Sequence, residues 1–259
     1  MRPAGGTLWL VPGTLDLGAE PVDIREVLPD GVLARAARIT RWVVEDARSA
    51  RAFLKRVGAV HPLTLPLQQL DIRELPRPRK GSGATVPDAD WTALLRPALD
   101  GEDLGLMSEA GLPAVADPGA GLVAAAHRAG LGVQALAGPS ALLLALAASG
   151  LEGQNFAFVG YLPQEPAARA ARLRELESLS RRQRQTQVFI ETPYRNEAML
   201  QALLTTLAPS TRLAISWGLT LPAGSQRSDT VEGWRRWVAA EGREPAPWRT
   251  LPAVFCLLG

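Results

Sequence analysis

Residues Leu104 to Leu151 read LGLMSEAGLPAVADPGAGLVAAAHRAGLGVQALAGPSALLLALAASGL. An apolar run of strand length, Leu104–Met107, leads into a Gly/Pro loop. A helical pattern follows at Leu122–Ala129, then a second apolar run at Val133–Leu136, and Gly138-Pro139-Ser140 opens another helix over Ser140–Ala148. Two successive strand–loop–helix passages predict a parallel sheet with both loops at the carboxyl ends of their strands, where such sheets bind ligands. Small residues in each loop let a ligand lie against bare backbone. Glu109 and Asp117 stand where acids would hold a cationic or hydroxyl-rich ligand. The alternative for each is a helix-capping or loop-bracing acid.

The same alternation extends to both sides. Apolar runs at Thr7–Val11 and Trp42–Val44 are strand-length, and helical patterns lie around Ile24–Ala37 and Ala47–Val57. Leu75–Pro87, LPRPRKGSGATVP, reads as an exposed loop. After Pro139 a second set follows: strands at Phe156–Val159, Gln187–Glu191, Arg212–Ser216 and Ala253–Leu258, with helices over Pro166–Leu179 and Asn196–Leu207. No internal repeat is present. The fold class is α/β, with two α/β domains, residues 1–138 and 139–259, divided at the Gly138-Pro139 turn. A ligand cleft is expected between them, since domain interfaces are favoured ligand sites.

Composition bounds the function classes. With 28 Lys+Arg against 26 Asp+Glu the net charge is +2, and 47% hydrophobic with 21% charged residues is ordinary for globular domains. Charge therefore gives no global argument for nucleic acid. Two histidines, His61 and His127, and one cysteine, Cys256, make no His/Cys metal cluster, and Cys256 reads as a buried structural thiol. Leu8–Val11 is too short for a secretory signal. Ala129–Leu151 is uncharged, but Gly130, Gly132 and Gly138-Pro139 interrupt it, so no membrane span is expected and the protein reads as cytoplasmic.

Gly119-Ala120-Gly121-Leu122-Val123-Ala124 matches the G-x-G-x-x-A dinucleotide pattern. That fingerprint needs a strand running straight into the first glycine and an acid about twenty residues on. Here Pro113 and Pro118 interrupt the approach, and no acid occurs between Asp117 and Glu152. A nicotinamide dehydrogenase is excluded on that ground, and no G-x-x-x-x-G-K-[ST] phosphate loop is present.

Ser108-Glu109-Ala110-Gly111-Leu112-Pro113, Asp117-Pro118-Gly119 and Gly138-Pro139-Ser140-Ala141, in that order and spacing, resemble the S-adenosylmethionine (SAM) signature of the tetrapyrrole methylase superfamily. The branch most resembled methylates a ribose 2′-hydroxyl of small-subunit ribosomal RNA. The resemblance implies two α/β domains, SAM as cofactor, an RNA acceptor and a homodimer. It assigns SAM to Ser108, Glu109, Ala110, Gly111, Pro139, Ser140, Ala141 and Leu142, with Asp117, Pro118 and Gly119 shaping the loop between. Methyl transfer from a sulfonium needs mostly alignment and exclusion of water, so few catalytic side chains are expected.

Elsewhere the match is thinner. Val11-Pro12-Gly13-Thr14-Leu15-Asp16-Leu17-Gly18 stands where the ribosomal branch has Pro-x-Pro-x-Gly-Asn-Leu, so Pro12 is carried over as a cofactor residue. Glu45-Asp46-Ala47-Arg48 resembles the branch's Glu-Asp-Thr-Arg, which makes Arg48 a candidate for the acceptor side; the alternative is an N-cap by Asp46 with a solvated Arg48. Gly160-Tyr161-Leu162-Pro163 and Glu191-Thr192-Pro193-Tyr194-Arg195 resemble Gly-Phe-Leu-Pro and Tyr-Glu-Ser-x-x-Arg elements. Thr192 is thereby assigned to SAM, and Arg195 to acceptor phosphate or else to structure. A ribose hydroxyl is weakly acidic, so a proton acceptor is expected, with Glu45, Asp46 and Glu191 as candidates.

Two departures stand out. Trp217-Gly218 replaces an Arg-Glu pair, and Thr250-Leu251-Pro252 replaces Lys-Gly-Glu, removing charge from positions expected near the cleft. They leave open a SAM-binding module without catalysis, as a third reading beside RNA methylation and C-methylation of a tetrapyrrole. The tetrapyrrole enzymes usually show Gly-Gly-Asp-Pro in the first loop, which favours RNA. Arg169, Arg172, Arg174, Arg181, Arg182 and Arg184 surround one helix, and Trp234, Arg235, Arg236, Trp237, Trp248 and Arg249 mix aromatic with basic residues. Stacking plus cationic grooves bind single strands, but solvated amphipathic helices are the plainer reading, with Trp234 and Trp237 facing inward together.

Overall fold

Four short segments form the body of the first sheet: β1 (Thr7–Leu10), β2 (Arg41–Val44), β4 (Leu104–Met107) and β5 (Gly132–Ala135), joined by a more polar edge strand, β3 (Asp71–Glu74). Of these, β2 and β4 are buried almost throughout. The computed structural model describes residues 5–16, 22–76, 87–240 and 250–259. Most of the expected Leu75–Pro87 loop, together with Leu17, Gly18, Trp248 and Arg249, lies outside these. By internal contacts the chain divides into two units, Met1–Pro139 and Ser140–Gly259.

The first unit is a fully parallel sheet of order β3-β2-β4-β1-β5. On one face α1 (Asp30–Arg38) and α2 (Ala47–Val60) bury Leu33, Ala36, Phe53 and Leu54 against Trp42 and Val44. On the other, α3 (Asp88–Leu99) and α4 (Ala120–Arg128) bury Leu95, Leu122 and Ala126 against Val43 and Leu106. Alternate residues of β2 thus serve opposite cores, as the period of a strand requires. Adjacent strands β2 and β4 send the chain apart, to β3 through α2 and to β5 through α4 on opposite faces. Such a divergence leaves a crevice at the strands' carboxyl ends.

In the second unit, order β6-β7-β10-β8-β9, only β6 (Phe156–Tyr161) and β7 (Thr186–Glu191) are parallel. The pairs among β7, β10 (Ala253–Leu258), β8 (Arg212–Trp217) and β9 (Ser225–Thr230) are antiparallel. Helices α6 (Pro166–Gln183), α7 (Asn196–Thr206) and α8 (Val231–Ala240) cover one face over Phe189 and Phe255, stacked with centroids 5.3 Å apart. Helix α5 (Ala141–Ser149) covers the other over Val188, Ala214, Val254 and Cys256. Cys256 is buried as expected, and burial pushes its thiol up to about 12. Trp234 and Trp237 share a face, ring edge to ring face at 5.3 Å, and the Trp234 indole donates to the Leu213 carbonyl at 2.7 Å. Among the described residues no helix is long and apolar enough to cross a membrane.

Three elements lie outside the sequence expectations, β3, α3 and β9, while α8 is the amphipathic helix expected around Trp234 and Trp237. The strands DIRE and SQRSDT are edges held by pairing to one neighbour, so they need no apolar face. Helix α6 runs to Gln183, beyond the expected Leu179, because Glu177 reaches across to accept from the Ala208 N–H at 2.8 Å and from the Thr211 hydroxyl. At the centre of the first sheet, a Cβ on Gly105 would stand 2.6 Å from the Trp42 ring. Gly105→Ala should therefore cost about 1–3 kcal/mol through overpacking. It should lower the melting temperature of the first unit in calorimetry, and an unchanged melt would show that Trp42 moves aside freely.

Candidate functional site

Four loops of the first unit converge at the carboxyl ends of its strands. The loop after β1 is tied into the sheet by Val11 N–H to the Leu106 carbonyl at 2.8 Å. It is tied to the loop after β4 by Gly13 N–H to Gly111 O at 2.9 Å and Gly111 N–H to Thr14 O at 3.3 Å. Arg56 of α2 braces it from below, donating to Asp16 at 2.6 Å and to the Val22 carbonyl at 2.8 Å. The loop after β5 closes against it: a Cβ on Gly138 would stand 2.3 Å from the Pro12 ring, so that ring demands a glycine opposite. Gly111, in the left-handed region at φ +63°, likewise faces the Pro139 carbonyl oxygen, which a Cβ would meet at 3.3 Å.

The loop from Ser108 to Gly119 is unusually bent. Besides Gly111 and Gly119, Ala114 and Ala116 have φ of +65° and +63°, a conformation L-residues adopt at a cost of roughly 1–2 kcal/mol each. Strain of this kind persists only where surroundings over-determine the backbone, and it clusters at functional sites. Gly121 answers the dinucleotide resemblance: a Cβ there would lie 2.7 Å from the Trp91 ring, so this glycine lets α4 pack on α3. Between the end of β4 and the start of α4 lie turns rather than a strand.

Carboxylates gather at the β2/β4 divergence. Glu45, at the end of β2, donates its N–H to the Met107 carbonyl at 3.0 Å and accepts from the Glu109 N–H at 3.1 Å through its side chain. Glu109 is exposed and accepts from the Ser49 hydroxyl at 3.3 Å. Asp117 is half-buried. Burial, then the charges of Glu45 and Glu109, push it up to about 6, against a lowering hydrogen bond from Ser108. Asp46 caps α2, accepting from Ser49 N–H at 2.7 Å, and Arg48 on the first turn stands exposed beside that cap.

In the second unit Glu191, Thr192 and Arg195 engage one another. The Glu191 side chain is 1% exposed, and one of its oxygens accepts from the Thr192 N–H at 2.8 Å, from the Thr192 hydroxyl at 3.3 Å, and from Arg195 Nε at 2.8 Å and Nη2. These three residues thus hold one another through one oxygen of the Glu191 carboxylate, which is the structural alternative weighed for Arg195. Ser140 begins α5 without a side-chain cap bond, and Ala141 and Leu142 form its first turn. Pro12, Glu45, Ser108–Gly111, Asp117–Gly119 and Pro139 lie in the converging loops. Gly13, Thr14 and Asp16 hold those loops from within the segment matched after β1, while Arg56, which braces them, carries no motif that would have announced it.

The two sequence departures turn out to touch. Gly218 N–H donates to the Pro252 carbonyl at 3.0 Å, the Leu251 side chain fills the space beside Gly218, and Asn196 donates to the Leu251 carbonyl at 2.9 Å. The two segments thus meet in an apolar backbone contact.

Comparison with known proteins agrees with this architecture. A family model described as Tetrapyrrole (Corrin/Porphyrin) Methylases matches residues 32–232. The chain is 35% identical over 209 residues to Ribosomal RNA small subunit methyltransferase I of Xylella fastidiosa, covering 79% of this chain and 67% of that one. It is 33% identical over 236 residues to the protein of that name from Pseudomonas aeruginosa, covering 90% and 75%. The crystal structure of the methyltransferase CobJ shares the fold at a TM-score of 0.56 and 17% identity, covering 99% of this chain and 95% of that one. With its parallel sheet of bent carboxyl-end loops followed by a mixed sheet, and with that length of match, the chain belongs to the tetrapyrrole methylase family and is a methyltransferase.

Proposed function

We propose that this chain transfers the methyl group of SAM to a ribose 2′-hydroxyl of small-subunit ribosomal RNA, acting as a cytoplasmic homodimer. The observation that carries the cofactor reading is the trio Glu45, Glu109 and Asp117 at the β2/β4 divergence, beside loops whose glycines leave backbone bare. SAM supplies an activated methyl on a cationic sulfur, next to an ammonium and two ribose hydroxyls. Acids and peptide groups suit those features. In this reading Glu109 and Asp117 take cationic or hydroxyl groups, and Gly111 and Pro139 offer backbone. Ser140–Leu142 follow next along the chain, Pro12 and Gly138 hold the shape of the loops, and the proton acceptor comes from Glu45, Asp46 and Glu191. Names of the relatives support RNA as the acceptor. Arg48, exposed beside the acids, is the basic side chain left to meet it.

Calorimetry should show binding of SAM and of its demethylated product. Ala141→Trp should abolish that binding by filling the turn, and silence of the wild-type protein toward both would refute the cofactor. The raised Asp117 sets a pH dependence. Below about 6 its carboxyl is protonated in the folded chain but ionised in the unfolded one down to its ordinary value. Folding therefore takes up a proton in that window, and stability falls as pH rises towards 6. A cationic ligand reverses the preference, so SAM should bind more tightly as pH rises through about 6. Asp117→Asn should flatten that profile, and an unchanged profile would remove Asp117 from the site. Mapping methylated nucleosides in small-subunit RNA should show one 2′-O-methyl missing from a deletion strain. Intact methylation with SAM binding retained would point to a non-catalytic module, and turnover of a porphyrinogen would point to a tetrapyrrole acceptor.

A further inference from the structure

Strand β6, FAFVGY, is an edge of the second sheet and carries no charge. Phe158 pairs with Val188 of β7, whose side chain lies in the cluster beneath α5. Phe156, two residues earlier, therefore shares that face. Helix α5 packs over β7, β10, β8 and β9, leaving Phe156 and Phe158 42% and 36% exposed. Their spacing along the strand is about 7 Å. Two half-exposed aromatic rings side by side are not required by either core.

The surroundings are basic. The turn from α6 into β7 reads Arg181-Arg182-Gln183-Arg184-Gln185. It is clamped to the start of β6: Asn155 donates to the Gln183 carbonyl at 2.9 Å, Gln185 to the Asn155 side chain at 2.9 Å, and Thr186 N–H to the Asn155 carbonyl at 3.0 Å. Arg182 and Arg184 are exposed there. Arg212 opens β8 on the face shared with Phe156, since Ala214 two residues on lies beneath α5, and its guanidinium donates to the Gly150 carbonyl at 2.9 Å. Two strands lie between Arg212 and Phe156, so three strand spacings, about 14 Å, separate them. The carboxylates of this end are occupied. Glu152 accepts from the Gln154 N–H at 2.9 Å, and Glu177 is buried against Ala208, Thr211 and Arg181.

Aromatic faces framed by arginines are the chemistry by which proteins hold single-stranded nucleic acid: bases stack on rings while guanidinium groups meet phosphates. We propose that this end of the second sheet is a platform for single-stranded RNA. Phe156 and Phe158 stack with bases, and Arg182, Arg184 and Arg212 engage the backbone. The proposal rests on RNA being the acceptor and adds a surface for it separate from the carboxylate site. Charge complementarity selects RNA: the exposed Arg182 and Arg184 stand at the start of a strand that carries no charge of its own, and a polyanion suits them.

The test is fluorescence anisotropy with a short labelled single-stranded RNA at several KCl concentrations. Phe156→Ala and Phe158→Ala should each weaken binding roughly fivefold to hundredfold with the salt slope unchanged. Arg182→Ala with Arg184→Ala should reduce the slope of log K against log salt by roughly 0.7 per arginine. Phe156→Tyr and Phe158→Tyr, which keep a stacking ring, should bind as the wild type does, and all variants should bind SAM unchanged in calorimetry. Wild-type RNA affinity in both the alanine and the arginine variants would overturn the platform while leaving RNA as acceptor. Absence of RNA binding by the wild-type protein, with SAM bound, would overturn the acceptor and the platform together. A fall in sedimentation coefficient in the Phe→Ala variants alone, with RNA affinity kept, would assign the face to a second copy.

Discussion

Close approach of backbone to backbone governs the first unit. The loops after β1, β4 and β5 are pressed together so tightly that side chains are excluded where they meet. Gly138 lies under the Pro12 ring, Gly111 beside the Pro139 oxygen, and Gly13 and Gly111 exchange peptide hydrogen bonds with each other's loops. A loop cluster packed through glycine and proline exposes peptide groups instead of side chains, and peptide groups are what a nucleoside or an amino-acid moiety can be read by. The left-handed alanines Ala114 and Ala116 show how far the backbone has been bent to keep that arrangement. The sheet makes the bending affordable. Strands β4 and β2 are buried almost throughout, so the loops inherit a rigid floor.

That geometry explains why acids collect where they do. Glu45 leaves β2 and Glu109 leaves β4, and these neighbouring strands diverge above and below the sheet. Their side chains consequently meet over the crevice rather than over a helix, and the Glu109 N–H bonded to Glu45 fixes one to the other. Like charges held this close favour protonation of the least hydrated member, Asp117, unless a cation arrives. The cluster is thus poised for a positive ligand, and its tension is relieved by binding one.

Much of this was legible in the residues, though unevenly. Strands that are buried on both faces announced themselves: Leu104–Met107 and Ala253–Leu258 were bounded to the residue. Polar edges were silent, since DIRE and SQRSDT owe their conformation to a neighbour's hydrogen bonds and not to any pattern of their own. In the site, the Gly/Pro spacing from Ser108 to Ala141 was readable because backbone requirements leave glycine and proline at fixed positions. The side-chain roles were not. An acid beside an arginine at a strand's end reads the same whether it faces a ligand or its partner, and only the fold shows Glu191 and Arg195 closed upon each other with Asp46 spent on a helix cap. Arg56, in no motif, reaches Asp16 forty residues away and illustrates a contact that only folding creates.

The contact between Trp217-Gly218 and Leu251-Pro252 bears on how the second unit diverged from the ribosomal pattern. An ion left alone in a half-buried place is costly, whereas an apolar contact needs no partner charge. Here both charged motifs of that pattern have been replaced, and the replacements meet: a peptide hydrogen bond from Gly218 to Pro252, with Leu251 filling the space that a Cβ on Gly218 would need. The peptide hydrogen bond from Gly218 to Pro252 and the Leu251 side chain hold the start of β10 against the end of β8, so the two segments form one apolar contact that neither could make alone.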